Sequence, residues 1–361
     1  MRLQNKVFIV FAGILISVST VVGLYIYSER IIHHHNNFIR RFPQHVAYQK
    51  QEIELTYNSY YFAGVDGDKV YLGNLTTPLY ITVLNIKSGS RQKHQIQIDS
   101  SEVKLKGPRI KIFGDSFYLF EGNAPYIFKG KTTDWKGTVI LTTGQRFSIL
   151  EPTEDEKIIL RYEKPITGEG VLGLLNLRSA GNPVHFESLL ESQGNAFFDT
   201  DGTLAYDRQT QKLVYTYYYR NQFLVTHNDL KLHYSGNTID TVSNSQIALE
   251  TLKDGRQTFA NPPLTVNRIT TADGGLLFIN SMLPGQYDSD AMWKTASIID
   301  VYDLTDRTYR SSFPIYNLKG KKLRSMLVDG QNLCALIDTQ LIIYGLRNNL
   351  KALNKIEKSG K

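Results

Sequence analysis

A short strand, a tight Gly/Asp turn and a second apolar strand recur along this chain, and that recurrence limits its folds more than any other feature. The turn stands at Asp66-Gly67, Asp201-Gly202, Asp273-Gly274 and Asp329-Gly330, and reversed at Gly114-Asp115. Such pairs accept the positive φ values that two-residue hairpin turns demand. The segments around them (61–72 with 79–86 and 95–98, 109–120 with 124–128 and 137–141, 147–150 with 157–162 and 171–176) are built from Val, Ile, Tyr, Phe and Thr. These residues fit half-buried strands. The pattern continues through 203–206, 212–219, 221–226 and 231–234, then 264–270, 276–280 and 297–303, then 323–327, 333–337 and 340–345. Residues 237–263 break it and read equally as a short helix near 246–252 or a hairpin around Asp254-Gly255.

Meanders repeating at intervals of roughly forty to seventy residues predict an all-β fold, a single β-propeller of four-stranded antiparallel blades. The rival is a pair of β-sandwiches. No proline- or glycine-rich linker divides the body, which favours one ring. Six blades account for the segments, but the last unit supplies three clear strands. The unclaimed residues at 45–57 predict an N-terminal strand that completes the last blade and removes an exposed edge. In this pattern, over roughly 45–346, the chain resembles the six-bladed TolB-like or NHL-like propellers of bacterial envelope proteins. The resemblance implies a fold, not an activity.

Ahead of the body, Val7 to Ile26 runs twenty residues without a charge, long enough for one membrane-crossing helix. Arg2 and Lys6 give it a basic start. Its length, and the bulky exit Leu24-Tyr25-Ile26-Tyr27, predict an uncleaved signal anchor rather than a cleaved leader. The flanking charges, Arg2 and Lys6 against Arg30, Arg40 and Arg41, are nearly balanced. A short basic head stays in the cytosol, so the large domain is expected on the extracytoplasmic side of the cytoplasmic membrane, the periplasm in a bacterium. The expected organisation is an anchor at 1–28, a spacer at 29–44, the propeller at 45–346 and a basic tail at 347–361, the tail reading as a short amphipathic helix or a frayed end.

The net charge of +7 is uneven: residues 1–50 carry +5, residues 319–361 carry +6 and the body between them −4. Basic charge confined to the ends argues against a nucleic-acid partner, which needs it on a recognition surface, and suits ends lying near an anionic membrane. One cysteine, Cys334, excludes an intrachain disulfide and reads as a buried strand residue. His33, His34 and His35 form no preorganised ligand set, and the run from Glu151 to Glu156 lacks calcium-loop spacing. No metal and no cofactor is expected, and no nucleophile elbow, metalloprotease helix, phosphate loop or dinucleotide fingerprint occurs.

The densest polar-aromatic cluster is 215–221. In a strand, Tyr215, Tyr217 and Tyr219 share one face and Tyr218 takes the other. Candidate binding residues are therefore Tyr217, Tyr219 and Arg220, with Arg268 before another blade turn and Trp293 in a polar insertion at 283–293. The same residues also suit packing between blades. No catalytic residue stands out. The expected function is a membrane-anchored module binding an envelope protein or peptide. Set against it are a propeller-type envelope enzyme, lactonase-like or quinoprotein, and a small-ligand or glycan sensor.

Overall fold

The computed structural model describes residues 3–32, 36–99, 103, 105–142, 145–164, 168–179, 182–194, 196–255, 257–347 and 350. The tail's predicted helix and the three adjacent histidines lie outside these residues.

Six antiparallel sheets follow one another around a ring. Blade 1 holds Tyr60–Asp66, Lys69–Asn74, Tyr80–Asn85 and Arg91–Gln95. Blade 2 holds Arg109–Phe113, Ser116–Glu121, Tyr126–Lys131 and Lys136–Thr142, extended by Gln97–Ile98 in parallel. Blade 3 holds Phe147–Thr153, Lys157–Glu163, Gly170–Asn176 and Val184–Phe186. Blade 4 holds Gly202–Asp207, Lys212–Tyr217, Gln222–His227 and Leu232–Asn237. Blade 5 holds Asn267–Asp273, Leu276–Ser281, Ala296–Asp303 and Thr308–Tyr316.

Blade 6 is assembled from both ends of the body. Leu323–Asp329, Asn332–Ile337 and Gln340–Leu346 come from the C-terminal side, and Ala47–Glu54 pairs antiparallel with the last of them. This is the closure that the three-strand remainder of the sequence required. Residues 237–263 resolve toward the hairpin alternative, Leu249–Thr251 against Gln257–Phe259.

There is no single core. A separate apolar cluster fills each of the six clefts between neighbouring blades. Second strands such as Ser116–Glu121 and Leu276–Ser281 are therefore buried on both faces, which is why they read as continuous apolar runs rather than alternating ones.

One predicted turn is misplaced. Asp201-Gly202 is not the turn between the first two strands of its blade: Gly202 opens the innermost strand, preceded by the short helix Ala196–Asp199. Glycine stands there because of close approach: a Cβ would lie 2.3 Å from the Thr216 carbonyl oxygen. The true turn follows Asp207, which is fully buried. Its carboxylate accepts the N–H of Gln209 (3.0 Å) and the Thr210 hydroxyl (2.8 Å), then crosses to blade 5 to accept the N–H of Gly274 (3.2 Å) and Gly275 (2.6 Å). Asp207→Ala therefore leaves several buried donors unpaired at once. The expected loss is about 3 kcal/mol of unfolding free energy, read from denaturant midpoints. A change below about 0.5 kcal/mol, the scale of an ordinary surface substitution, would show that water replaces the carboxylate.

The N-terminal helix spans Leu3–Ile32. Its side chains are described from 11 to 25, and the apolar ones are exposed, Phe11 at 69%, Leu15 at 63% and Val21 at 66%. Among the described residues no helix is long and apolar enough to cross a membrane. The segment after it packs firmly onto blade 5. Phe38 joins Val242, Val266 and Leu283 in a small cluster, and the Arg40 side chain is wholly buried against Asp288 and Asp300.

Candidate functional site

The innermost strands of the six blades surround a central channel of about 530 Å³. Each innermost strand begins at one end of the channel and finishes at the other, so residues early in these strands share one mouth and late residues share the opposite one. The first mouth carries Tyr61, Arg109, Ser148, Thr203, Arg268 and Ser325, one from each blade, with Tyr218 beside them. The second carries Asp66, Phe113, Glu151, Tyr206, Asp273 and Asp329, with Arg208. The channel is thus polarised, cationic at one end and predominantly acidic at the other.

At the first mouth, Arg109 belongs to blade 2 and Arg268 to blade 5. Inner strands touch in ring order, which sets these two blades opposite each other. The Arg109 guanidinium lies over the Tyr61 ring, 4.8 Å from its centroid, and the Tyr61 hydroxyl accepts the N–H of Ile110 at 2.8 Å. Burial pushes the Tyr61 hydroxyl pKa up to about 12 against the opposing pull of that hydrogen bond and of Arg109, so the group is neutral at physiological pH.

Arg268 sits where the pairing register of its strand shifts by one residue, and Ser148 occupies the equivalent irregularity in blade 3. A bulge of this kind re-aims a side chain, and both residues line the channel. Behind Ser148 lies Arg161, which donates to the Ser148 hydroxyl (3.0 Å) and to the Tyr215 hydroxyl (3.1 Å) and is ion-paired with Asp201 at 2.7 Å. Arg109 and Arg268 have no carboxylate partner among the described residues.

Lower in the wall, Lys111 of blade 2 is ion-paired with Glu151 of blade 3 at 2.6 Å. At the acidic mouth, burial, and after it the charge of Asp66, hold the Asp329 carboxyl above the usual aspartate range despite the opposing effect of Arg208. Arg208 itself lies over the Phe113 ring, 4.7 Å from its centroid. Among the described residues no group of three His, Cys, Asp or Glu side chains is placed to hold a metal ion.

The longest connections gather at the cationic end. Segments 187–201, 238–266 and 282–295 all join strands there, and the last contains the helix Asp290–Thr295. The segment from the N-terminal helix is fixed at the same end. Asn36 donates both its backbone N–H (3.2 Å) and its side-chain amide (3.1 Å) to the Pro284 carbonyl, and Gln286 donates to the Phe38 carbonyl at 2.8 Å.

Of the candidate binding residues read from the sequence, Arg268 alone lines the channel. Tyr217 is fully buried between blades 3 and 4, with its hydroxyl accepting the N–H of Glu191 at 3.2 Å. Arg220 is 1% exposed, stacks 3.6 Å from the centroid of that ring, and donates to the Glu191 carbonyl at 2.7 Å. Tyr219 is half-buried beside Tyr218 and Phe259. The strand ends at Tyr217, so the alternation that grouped Tyr219 with Tyr215 and Tyr217 stops before it. Tyr218, assigned to the opposite face, is the tyrosine of this run that reaches the channel. Trp293 donates its indole N–H to Asp288 at 3.1 Å inside the Arg40 cluster. Cys334 is buried, as its strand context predicted, and its burial pushes the thiol pKa up to about 12.

Arg109, Tyr61, Ser148, Thr203 and Ser325 were not singled out from the sequence. The signal for them is positional: each stands among the first residues of the first strand of a repeat.

Comparison with known proteins adds the fold class. A member of the DUF4221 family from Bacteroides vulgatus is 12% identical, with 84% of this chain and 99% of that one aligned at a TM-score of 0.53. A catalytically inactive virginiamycin B lyase from Staphylococcus aureus, solved with quinupristin, is also 12% identical, with 82% and 99% aligned at 0.48. No family model matches the sequence, and no curated protein matches it. The chain is a six-bladed β-propeller. At this identity the likeness extends to fold alone.

Proposed function

We propose that this chain is a single-pass protein of the cytoplasmic membrane whose propeller lies on the extracytoplasmic side and binds a protein or peptide partner without catalysis. One observation carries the reading: the segment leaving the apolar helix is fixed at the same end of the ring as the channel's cationic mouth and its longest insertions. Four peptide steps separate Ile32 from Asn36, a reach of at most about 14 Å. With the helix in a bilayer, that end of the ring is held close to the membrane surface, where a membrane-associated partner is met at high effective concentration. The uncharged run Val7 to Ile26 and the exposed apolar side chains of the helix support its membrane role. Insertions clustered at one end of a rigid ring are the usual place for recognition.

The test is crosslinking in native cells, followed by mild-detergent purification, mass spectrometry and metal analysis of one sample. The expected result is an alkali-resistant membrane protein, protease-accessible from outside the cytoplasm, carrying a stoichiometric envelope partner. A solitary protein with a bound metal or cofactor and measurable turnover would overturn the reading in favour of an enzyme.

A further inference from the structure

Two arginines face one another across the first mouth of the channel, Arg109 from blade 2 and Arg268 from blade 5, and neither has a carboxylate partner among the described residues. The other charged groups of the channel wall are differently placed. Lys111 is paired with Glu151 at 2.6 Å, and Arg208 with Glu154 at 3.6 Å beside the acidic mouth. The cationic mouth is also lined by hydroxyl groups from Thr203 and Ser325. Both arginines are positioned: Arg109 by stacking on Tyr61, whose hydroxyl is held by the Ile110 N–H, and Arg268 by the register shift in its strand.

On the basis of the partner-binding reading above, we infer that this mouth is the recognition site and that it takes an acidic peptide segment, with carboxylates meeting Arg109 and Arg268. Three features select that ligand. Guanidinium forks match carboxylates in geometry and charge. The Arg109 guanidinium already lies 4.8 Å from the centroid of the Tyr61 ring, so that ring face is not open to a stacked sugar. The arginines also sit within the ring of inner strands and beside the large insertions, where a chain segment can enter and a flat bilayer surface cannot. The acidic opposite mouth repels the same ligand, which sets a direction of entry.

The full-length protein in detergent micelles is titrated with hexaglutamate, hexaglutamine and inorganic phosphate, and separately with vesicles of phosphatidylglycerol. Hexaglutamate is expected to bind saturably and to weaken as salt rises, with no comparable binding of hexaglutamine. Arg109→Ala with Arg268→Ala weakens hexaglutamate binding by at least about tenfold, the scale of losing charge-assisted hydrogen bonds. The paired lysine variant retains part of the affinity, and Asp66→Asn at the other mouth changes little. The lysine pair keeps the test valid if the alanine pair misfolds. Equal binding of hexaglutamine, or unchanged hexaglutamate affinity in the alanine pair, overturns the assignment. Phosphate or phosphatidylglycerol binding that matches hexaglutamate and is lost in the same variant also overturns it, in favour of a small-oxyanion or lipid site. Recovery of the same envelope partner with the alanine pair as with the parent refutes this mouth while leaving the partner-binding reading intact.

Discussion

A protein that starts at residue 55 is expected to aggregate, whereas one that starts at residue 45 is expected to be a cooperatively folding monomer. The two differ by the strand Ala47–Glu54, which pairs with Gln340–Leu346 over seven registered positions, Ala47 with Leu346 through to Glu54 with Gln340. Without it, Gln340–Leu346 becomes an edge. Its interior, Leu341 to Leu346, is apolar and buried in the intact ring, and such an edge invites pairing with another chain. The missing segment also removes Val46 and Ile53 from the two clefts that flank blade 6. The segment's ladder hydrogen bonds contribute about 0.5–1.5 kcal/mol net each and its two buried aliphatic side chains about 1.5–3 kcal/mol each, set against the entropy of ordering the chain. Size-exclusion chromatography and denaturant unfolding of the two proteins decide the matter. A synthetic peptide of residues 45–55 added in trans is expected to restore the monomer. Identical elution and unfolding midpoints would mean that blade 6 stands on three strands and that closure at this strand is dispensable.

That strand was legible in the sequence by elimination, because a ring with three strands in its last blade has an open edge. Most of the fold was legible for a similar reason. Buried second strands appear as apolar runs, and turns that need positive φ appear as glycine: Gly67, Gly114, Gly274 and Gly330 have φ of 57°, 58°, 59° and 56°. Gly202 misled because a glycine required by close packing looks the same in sequence as one required by a turn.

The repeats carry a second marker. The third strands of blades 1, 3 and 5 end in Asn85-Ile86, Asn176-Leu177 and Asp303-Leu304. In each pair the polar side chain accepts backbone N–H groups two residues on, to Lys87, Arg178 and Thr305. In each pair, too, the apolar residue donates its own N–H to the turn between the first two strands, at Asp68, Glu156 and Gly275. This side-chain turn ties two hairpins of one blade together at the same end, and its spacing would have placed those blades directly.

The candidate site was less legible. Arg109 is separated from Arg268 by more than 150 residues, and only ring order brings blades 2 and 5 face to face. The conspicuous tyrosine run drew attention instead, but its pattern records the packing of Tyr215 and Tyr217 between blades 3 and 4. Arg220, beside them, is a buried interior group. Local composition signals burial well, whereas a channel mouth is assembled from single residues contributed by distant repeats.

Arg40 shows the same principle at its most demanding. It looks like half of an ordinary basic pair after a hydrophobic helix, and the structure makes it the fastening between that helix and the ring. Its Nε and Nη2 reach the two carboxylate oxygens of Asp300 at 2.8 and 3.0 Å, Nη1 reaches Asp288 at 2.5 Å, and Nη2 also donates to the Ser281 hydroxyl at 2.8 Å. The guanidinium stacks on Phe38 and Trp293, and Asp288 additionally accepts the N–H of Gly285 at 2.8 Å. Burial alone pushes the Arg40 pKa down, but the charges and hydrogen bonds of Asp300 and Asp288 push it further up, so the group stays ionised.

Arg40→Ala is therefore expected to cost about 3–5 kcal/mol, most of it from two carboxylates left buried without a counter-charge. Arg40→Lys rescues little, because an ammonium cannot reproduce the bidentate fork. Adding Asp288→Asn and Asp300→Asn to Arg40→Ala recovers part of the loss, since the amides remove the stranded charges. Denaturant unfolding of residues 36–361 with the parent and these variants reads the differences without the helix. Equal loss in the alanine and triple variants would locate the cost in packing against Phe38 and Trp293 rather than in charge. In the full chain, the same Arg40→Ala substitution is expected to open the segment at 36–43 to protease before the blades unfold, because this cluster fixes that segment to blade 5. A propeller loosened in this way stays tethered to the helix but no longer holds its cationic mouth at a set distance from it. Loss of partner crosslinking at unchanged hexaglutamate affinity would then separate the orientation of the ring from the chemistry of its mouth.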